Sequence, residues 1–128
     1  MLVELDEDEC WELAGTMPVG RVVWSTAAGP NVVPVNFVAH EGRIVLHASA
    51  YSALVRETDD SMVAFEVDEI DPFTRSGWSV LLRGRAHVAF RDDPGDRLPD
   101  VDTWPDGTRR MTLVIDVHQV TGRRVMAS

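Results

Sequence analysis

Six runs rich in β-branched and apolar residues, most of them closed by a turn signal, leave this chain few folds other than a small antiparallel barrel. The runs are Val19–Thr26, Val32–Ala39, Arg43–Ala48, Met62–Ile70, Trp78 to about Phe90, and Thr112–Val120. Ala27-Ala28-Gly29-Pro30-Asn31 and His40-Glu41-Gly42 separate the first three by only a few residues, so they predict sequential antiparallel pairing. Two short helices are expected between strands. The first runs from Asp6 to about Thr16, with acids at its start favouring the positive end of the helix dipole. The second runs from Ser49 to Thr58, with hydroxyl residues where the first backbone amides lack partners. Residues 91–107 hold too much Pro, Gly and Asp for a regular helix, and 121–126 reads as a turn with a short extension. Six strands with so little helix are best accommodated by a closed or nearly closed barrel, which leaves no long sheet edge exposed.

Residues inside the strands refine this picture. Pro34 cannot donate to a ladder, so its strand lies at an edge or bulges there, freeing neighbouring backbone groups. Gly84 between Arg83 and Arg85 marks a close backbone approach. At 128 residues and 45% hydrophobic content, the chain forms a single domain, 1–128, with an ordinary core.

Composition then excludes several function classes. The net charge of −9 argues against a nucleic-acid partner, because neutralising phosphates takes a basic surface. All 12 basic residues are arginines, so no lysine can form a Schiff base with a pyridoxal cofactor. The acidic start Leu2–Glu9 is unlike a secretory signal, and no apolar run approaches the ~20 residues of a membrane span. With the single cysteine, Cys10, excluding an intrachain disulfide, the expectation is a cytoplasmic protein with no membrane partner. Cys10 has no neighbouring base, and His40, His47, His87 and His118 lack metal-triad spacing, so no nucleophile and no metal site is expected. Glu66, Asp68, Glu69 and Asp71 recur along one strand and its exit and read as a solvated face.

The ordered set Cys10-Trp11, Gly20-Arg21, Pro34-Val35-Asn36, Phe65-Glu66-Val67-Asp68, Gly77-Trp78-Ser79-Val80, Gly84-Arg85-Ala86 and Val120-Thr121-Gly122-Arg123-Arg124 covers nearly the whole chain. In it the sequence resembles the pyridoxamine 5′-phosphate oxidase-like, FMN-binding split-barrel family, in its small single-domain form. That resemblance implies a mainly β fold with short helices, a six-stranded antiparallel split β-barrel, assembled as a homodimer with two cofactor sites lined by both chains. It also implies that the strand of Val35 and Asn36 lies beside the flavin ring, that the segment from His47 through Ser49 and Ser52 holds the phosphate, and that the corner of Trp78 and Ser79 closes over the ring. No protein side chain need act as a catalytic acid or base, since the cofactor carries the electrons.

The chain departs from the family pattern in the phosphate segment. Relatives carry an arginine followed by Thr or Ser where this chain has His47 and Ala48, and a lysine where it has Ala53. A charge-assisted hydrogen bond contributes about 1.5–3 kcal/mol, so losing two cations weakens phosphate binding by orders of magnitude. The remaining donors are His47, Ser49, Tyr51, Ser52 and, if it turns inward, Arg56. The first expectation is therefore an FMN-dependent oxidoreductase acting on a small molecule. The alternatives are a non-catalytic dimeric binding protein with a degenerate flavin site, or a relative that binds deazaflavin or haem. Trp11 and Trp24 read as core or interface residues, Trp104 as a loop anchor or a reach into a partner's pocket, and Arg83 and Arg124 as the arginines to line the cleft.

Overall fold

The computed structural model describes residues 1–89, 98–104 and 110–127. Strands β2 (Val19–Thr26), β3 (Gly29–His40), β4 (Arg43–Ser49), β5 (Ser61–Asp71), β6 (Ser76–Ala89) and β7 (Arg110–Val125) follow β1 (Leu2–Leu5) and helix α1 (Glu7–Ala14), with helix α2 (Ala53–Thr58) between β4 and β5. Neighbouring strands run β7-β4-β3-β2-β5-β6, and β6 pairs back onto β7, so six antiparallel strands close a ring. This is the split β-barrel expected from the sequence. The split lies along β7, whose residues 110–116 pair with β4 while 122–125 pair with β1, both on the side opposite β6.

Alternation along each strand fills the ring. Val22 and Trp24, Ile44 and Leu46, Phe65 and Val67, Val80 and Leu82, Leu113 and Ile115 are all buried in one cluster. Phe37 and Phe65 meet edge-on across it, with centroids 4.9 Å apart. Helix α1 closes against β6 and β7 through Cys10 and Ala14. Its start is fixed by a capping box: Asp6 Oδ1 accepts from the Glu9 amide at 2.9 Å, and Glu9 Oε1 accepts from the Asp6 amide at 3.4 Å.

Pro34 proves to be an edge residue. It pairs with Arg21 on one side, while β4 joins the other side of β3 only from Phe37 onward. Gly84 sits where the β6–β7 register shifts, and a side chain there would collide with the Asp116 carbonyl.

Several expectations need correction. The strand expected from Val32 begins at Gly29, because the β2–β3 ladder extends to the Thr26–Gly29 pair and narrows the expected 27–31 turn to Ala27 and Ala28. Leu2–Leu5 is a strand, because the side of β7 that β4 vacates is open to it. Residues 121–125 continue β7 rather than turning, since hydrogen bonding to β6 and β1 on both sides outweighs the Thr-Gly turn signal. The second helix begins at Ala53, because Ser49 still belongs to β4 and Ser52 is the cap. The strand from Trp78 begins two residues earlier, at Ser76, because the β5–β6 ladder extends to the Asp71–Ser76 pair. Phe90 and most of the expected excursion fall outside the described residues; 98–104 forms neither helix nor strand. No helix among the described residues is long and apolar enough to cross a membrane.

Candidate functional site

Because β3 runs free of β4 before Phe37, a groove opens between that free stretch and the end of β4. Its volume is about 490 Å³. One wall is β3, with Asn31, Val32, Val33 and Val35. The other is the exit of β4 and start of α2, with His47, Ala48, Ser49, Ser52, Ala53 and Leu54; Trp24 of β2 also lines it. The apolar walls suit a flat ring, and the 47–52 end supplies polar atoms.

Four of the seven predicted site residues, Val35, His47, Ser49 and Ser52, therefore come together in one groove from three parts of the chain. Their polar groups are not all free. The Ser52 hydroxyl donates to the Ser49 carbonyl at 2.8 Å and accepts from the Val55 amide at 3.3 Å, so it is occupied as the helix cap. His47 Nδ1 lies 3.2 Å from the Thr103 hydroxyl.

Asn36 is placed differently from Val35. It is buried beside the groove rather than lining it: its Nδ2 donates to the Pro18 carbonyl at 3.2 Å, and its Oδ1 accepts from the Trp104 amide at 2.9 Å. The Oδ1 end of the amide thus anchors the 98–104 segment at Trp104, while the Nδ2 end ties β3 to the entry of β2 at Pro18. This identifies the anchoring contact near Trp104 as its backbone amide, since its side chain is largely exposed.

Trp78 and Ser79 stand in a second groove of about 380 Å³, with Leu2, Ile70, Arg123 and Val125 among its walls. Within one chain the structure does not bring them to the first groove. Arg123, rather than Arg83 or Arg124, lines this second cleft; Arg83 reaches Gln119 at 3.4 Å. Arg85 takes the structural role expected of most arginines, pairing with Asp60 at 3.0 Å.

Trp24 is the site residue that the sequence reading missed. It is a core residue as expected, yet its ring also lines the groove, and its Nε1 donates to Glu57 Oε2 at 3.0 Å. The available signal was register: Trp24 pairs with Asn31, which places it at the mouth of the free stretch of β3.

Of the acids on β5, Glu69 and Asp71 are exposed as expected, whereas Glu66 and Asp68 are half-buried. Arg21 sits between Glu66 at 3.0 Å and Asp68 at 3.1 Å. Partial burial, reinforced by a hydrogen bond and repulsion from Asp68, pushes Glu66 up to about 7 against the opposing pull of Arg21. Burial, and then the acids Asp6, Glu9 and Glu7, raise the Cys10 thiol, which leaves it un-ionised at neutral pH. Among the described residues no group of three His, Cys, Asp or Glu is arranged to hold a metal.

Comparison with known proteins gives this geometry its context. The family model described as pyridoxamine 5′-phosphate oxidase matches residues 6–124. The chain belongs to that family. An uncharacterised protein of Mycobacterium tuberculosis is 33% identical over 132 residues, covering 98% of this chain and 87% of that protein. The structure of an FAD-binding protein from Mycobacterium smegmatis is 26% identical, covers 98% of this chain and 99% of its own, and superposes with a TM-score of 0.79. A conserved protein of unknown function from Corynebacterium diphtheriae is 29% identical, with a TM-score of 0.76 over 95% of this chain and 96% of its own.

Proposed function

We propose that this member of the pyridoxamine 5′-phosphate oxidase family is a flavin-dependent oxidoreductase that binds FMN or FAD in the groove between β3, β4 and α2 and acts on a small organic substrate. The carrying observation is the convergence of Val35, His47, Ser49 and Ser52 on that one groove. The residues present fit the ring better than the tail. Val32, Val33, Val35, Leu54 and Trp24 offer an apolar slot, whereas Ser49 and His47 are the main polar groups at the other end. A bound flavin would supply the two-electron chemistry; the chain's own part is to orient the ring and keep water from one face of it.

A homodimer completes this reading. Trp78 and Ser79 of the partner subunit would face the ring across the subunit contact, which accounts for their distance from the groove in a single chain. The 26% identical relative named for FAD supports testing both flavins.

A second reading has its own support. Ser52 is occupied as a cap and Asn36 is spent on Pro18 and Trp104, so fewer donors are free than the sequence suggests. This favours a binding protein of the same fold that has lost efficient flavin affinity. Absorbance of the purified protein, followed by titration with FMN and FAD monitored by fluorescence quenching, separates the two. Flavin absorbance or saturable quenching is the expected result. A colourless protein indifferent to both flavins would overturn the oxidoreductase reading in favour of the second one, and a Soret band would point instead to haem.

A further inference from the structure

The groove receives an anionic tail, if it binds a flavin phosphate, with no arginine among the described residues that line it and no lysine anywhere in the chain. A backbone amide supplies a donor but not the full positive charge of a cation. Helix α2 has only six residues, and the Val55 amide near its start is already capped by Ser52. Among the described residues of one chain, a cation for that tail stands at the rim rather than on the lining.

Arg56 is placed to provide it. Its Nη1 donates to the Tyr51 carbonyl, at 2.5 Å, which turns the side chain back from α2 onto the 49–52 turn whose Ser49 and Ser52 line the groove. That bond uses one of the five guanidinium N–H donors, and the exposed side chain holds the others in solvent. The neighbouring acid on the same helix, Glu57, is directed to Trp24 Nε1. From β4 the titratable neighbour is His47, and from β7 it is Arg110, paired opposite Ser49 and engaged with a partner of its own.

Resting on the flavin reading, we propose that Arg56 receives the ligand's phosphate from the groove rim, replacing the cations that relatives carry inside it. A guanidinium in solvent is screened by salt and holds phosphate loosely, so the protein discriminates weakly between phosphorylated and unphosphorylated flavins. Riboflavin has the same ring and no phosphate, and provides the comparison.

The test measures affinities of the wild-type chain, Arg56→Gln, Arg56→Lys and Arg110→Gln for FMN, FAD and riboflavin at low and high salt. Arg56→Gln is expected to weaken binding of the phosphorylated flavins about three- to tenfold, to leave riboflavin unchanged, and to flatten the salt dependence. Arg56→Lys should keep most of the affinity. Equal losses for riboflavin and FMN, no loss for either phosphorylated flavin, or a phosphate-specific loss confined to Arg110→Gln would overturn the assignment while leaving the flavin reading standing. A wild-type chain that binds none of the three overturns both.

Discussion

At the scale of single residues, environment rather than identity decides what a polar group can do. Ser52 and Asn36 look like ligand donors in the sequence, but the fold gives one to a helix cap and the other to a loop anchor. Glu66 looks like one of several solvated acids, yet partial burial beside Asp68 makes it hold a proton near neutrality. Because its folded-state affinity for the proton exceeds its unfolded one, the folded protein binds more protons between about pH 4.5 and 7, and stability falls as pH rises through that window. Glu66→Gln should therefore melt higher than wild type at pH 8 by an amount worth about 1 kcal/mol, discounted for solvent screening, with a smaller difference at pH 5. Thermal denaturation at the two pH values checks this, and an equal shift at both would rule out the proton as its cause. At Gly84 the limit is steric: Gly84→Ala forces a methyl onto the Asp116 carbonyl and should cost about 1–3 kcal/mol in denaturant titrations, whatever its effect on ligand.

Among elements, those with strong local signals form where the sequence places them. β2 spans Val19–Thr26 as read, and α1 begins at the Asp6 cap whose carboxylate holds Glu9. Asp6→Ala removes that bond and should lower stability by about 1 kcal/mol, measured as a reduced urea midpoint with an unchanged slope. Two of the elements that departed from the reading depend on a distant partner. Leu2–Leu5 has too few residues to announce a strand, and Thr121-Gly122 carries a turn signal. Each becomes extended because the other is there, with Leu5 opposite Gly122 and Leu2 opposite Val125. No window of local sequence contains both halves of that pairing.

At the scale of the whole molecule, the stretch of β3 that β4 leaves unpaired creates the candidate groove. A fully paired β3 would leave no free stretch from Asn31 to Asn36, and the groove beside it would close. The two candidate surfaces, one around Val35 and His47 and the other around Trp78 and Ser79, lie in separate grooves of one chain. A dimer that joins them predicts a solution mass of twice the 14.2 kDa chain and one flavin per chain at saturation. Light scattering coupled to size exclusion checks the mass, and a monomer that binds flavin would refute the shared cleft.

What the sequence determined by itself was the barrel, and it named four residues that the fold brings to one candidate groove. Alternation in strands such as Phe65-Glu66-Val67-Asp68, Pro34 within an extended run, and Gly84 between two arginines are local signals, and ordered along the chain they specify this family's fold. Only the tertiary structure decided which donors remain free, that Trp24 lines the groove, that β1 completes β7, and that Glu66 takes up its proton at higher pH than an ordinary carboxyl. Those outcomes depend on groups far apart in the chain meeting in a partly dehydrated space, where a hydrogen bond or charge is strengthened or spent by neighbours that no sequence spacing reveals.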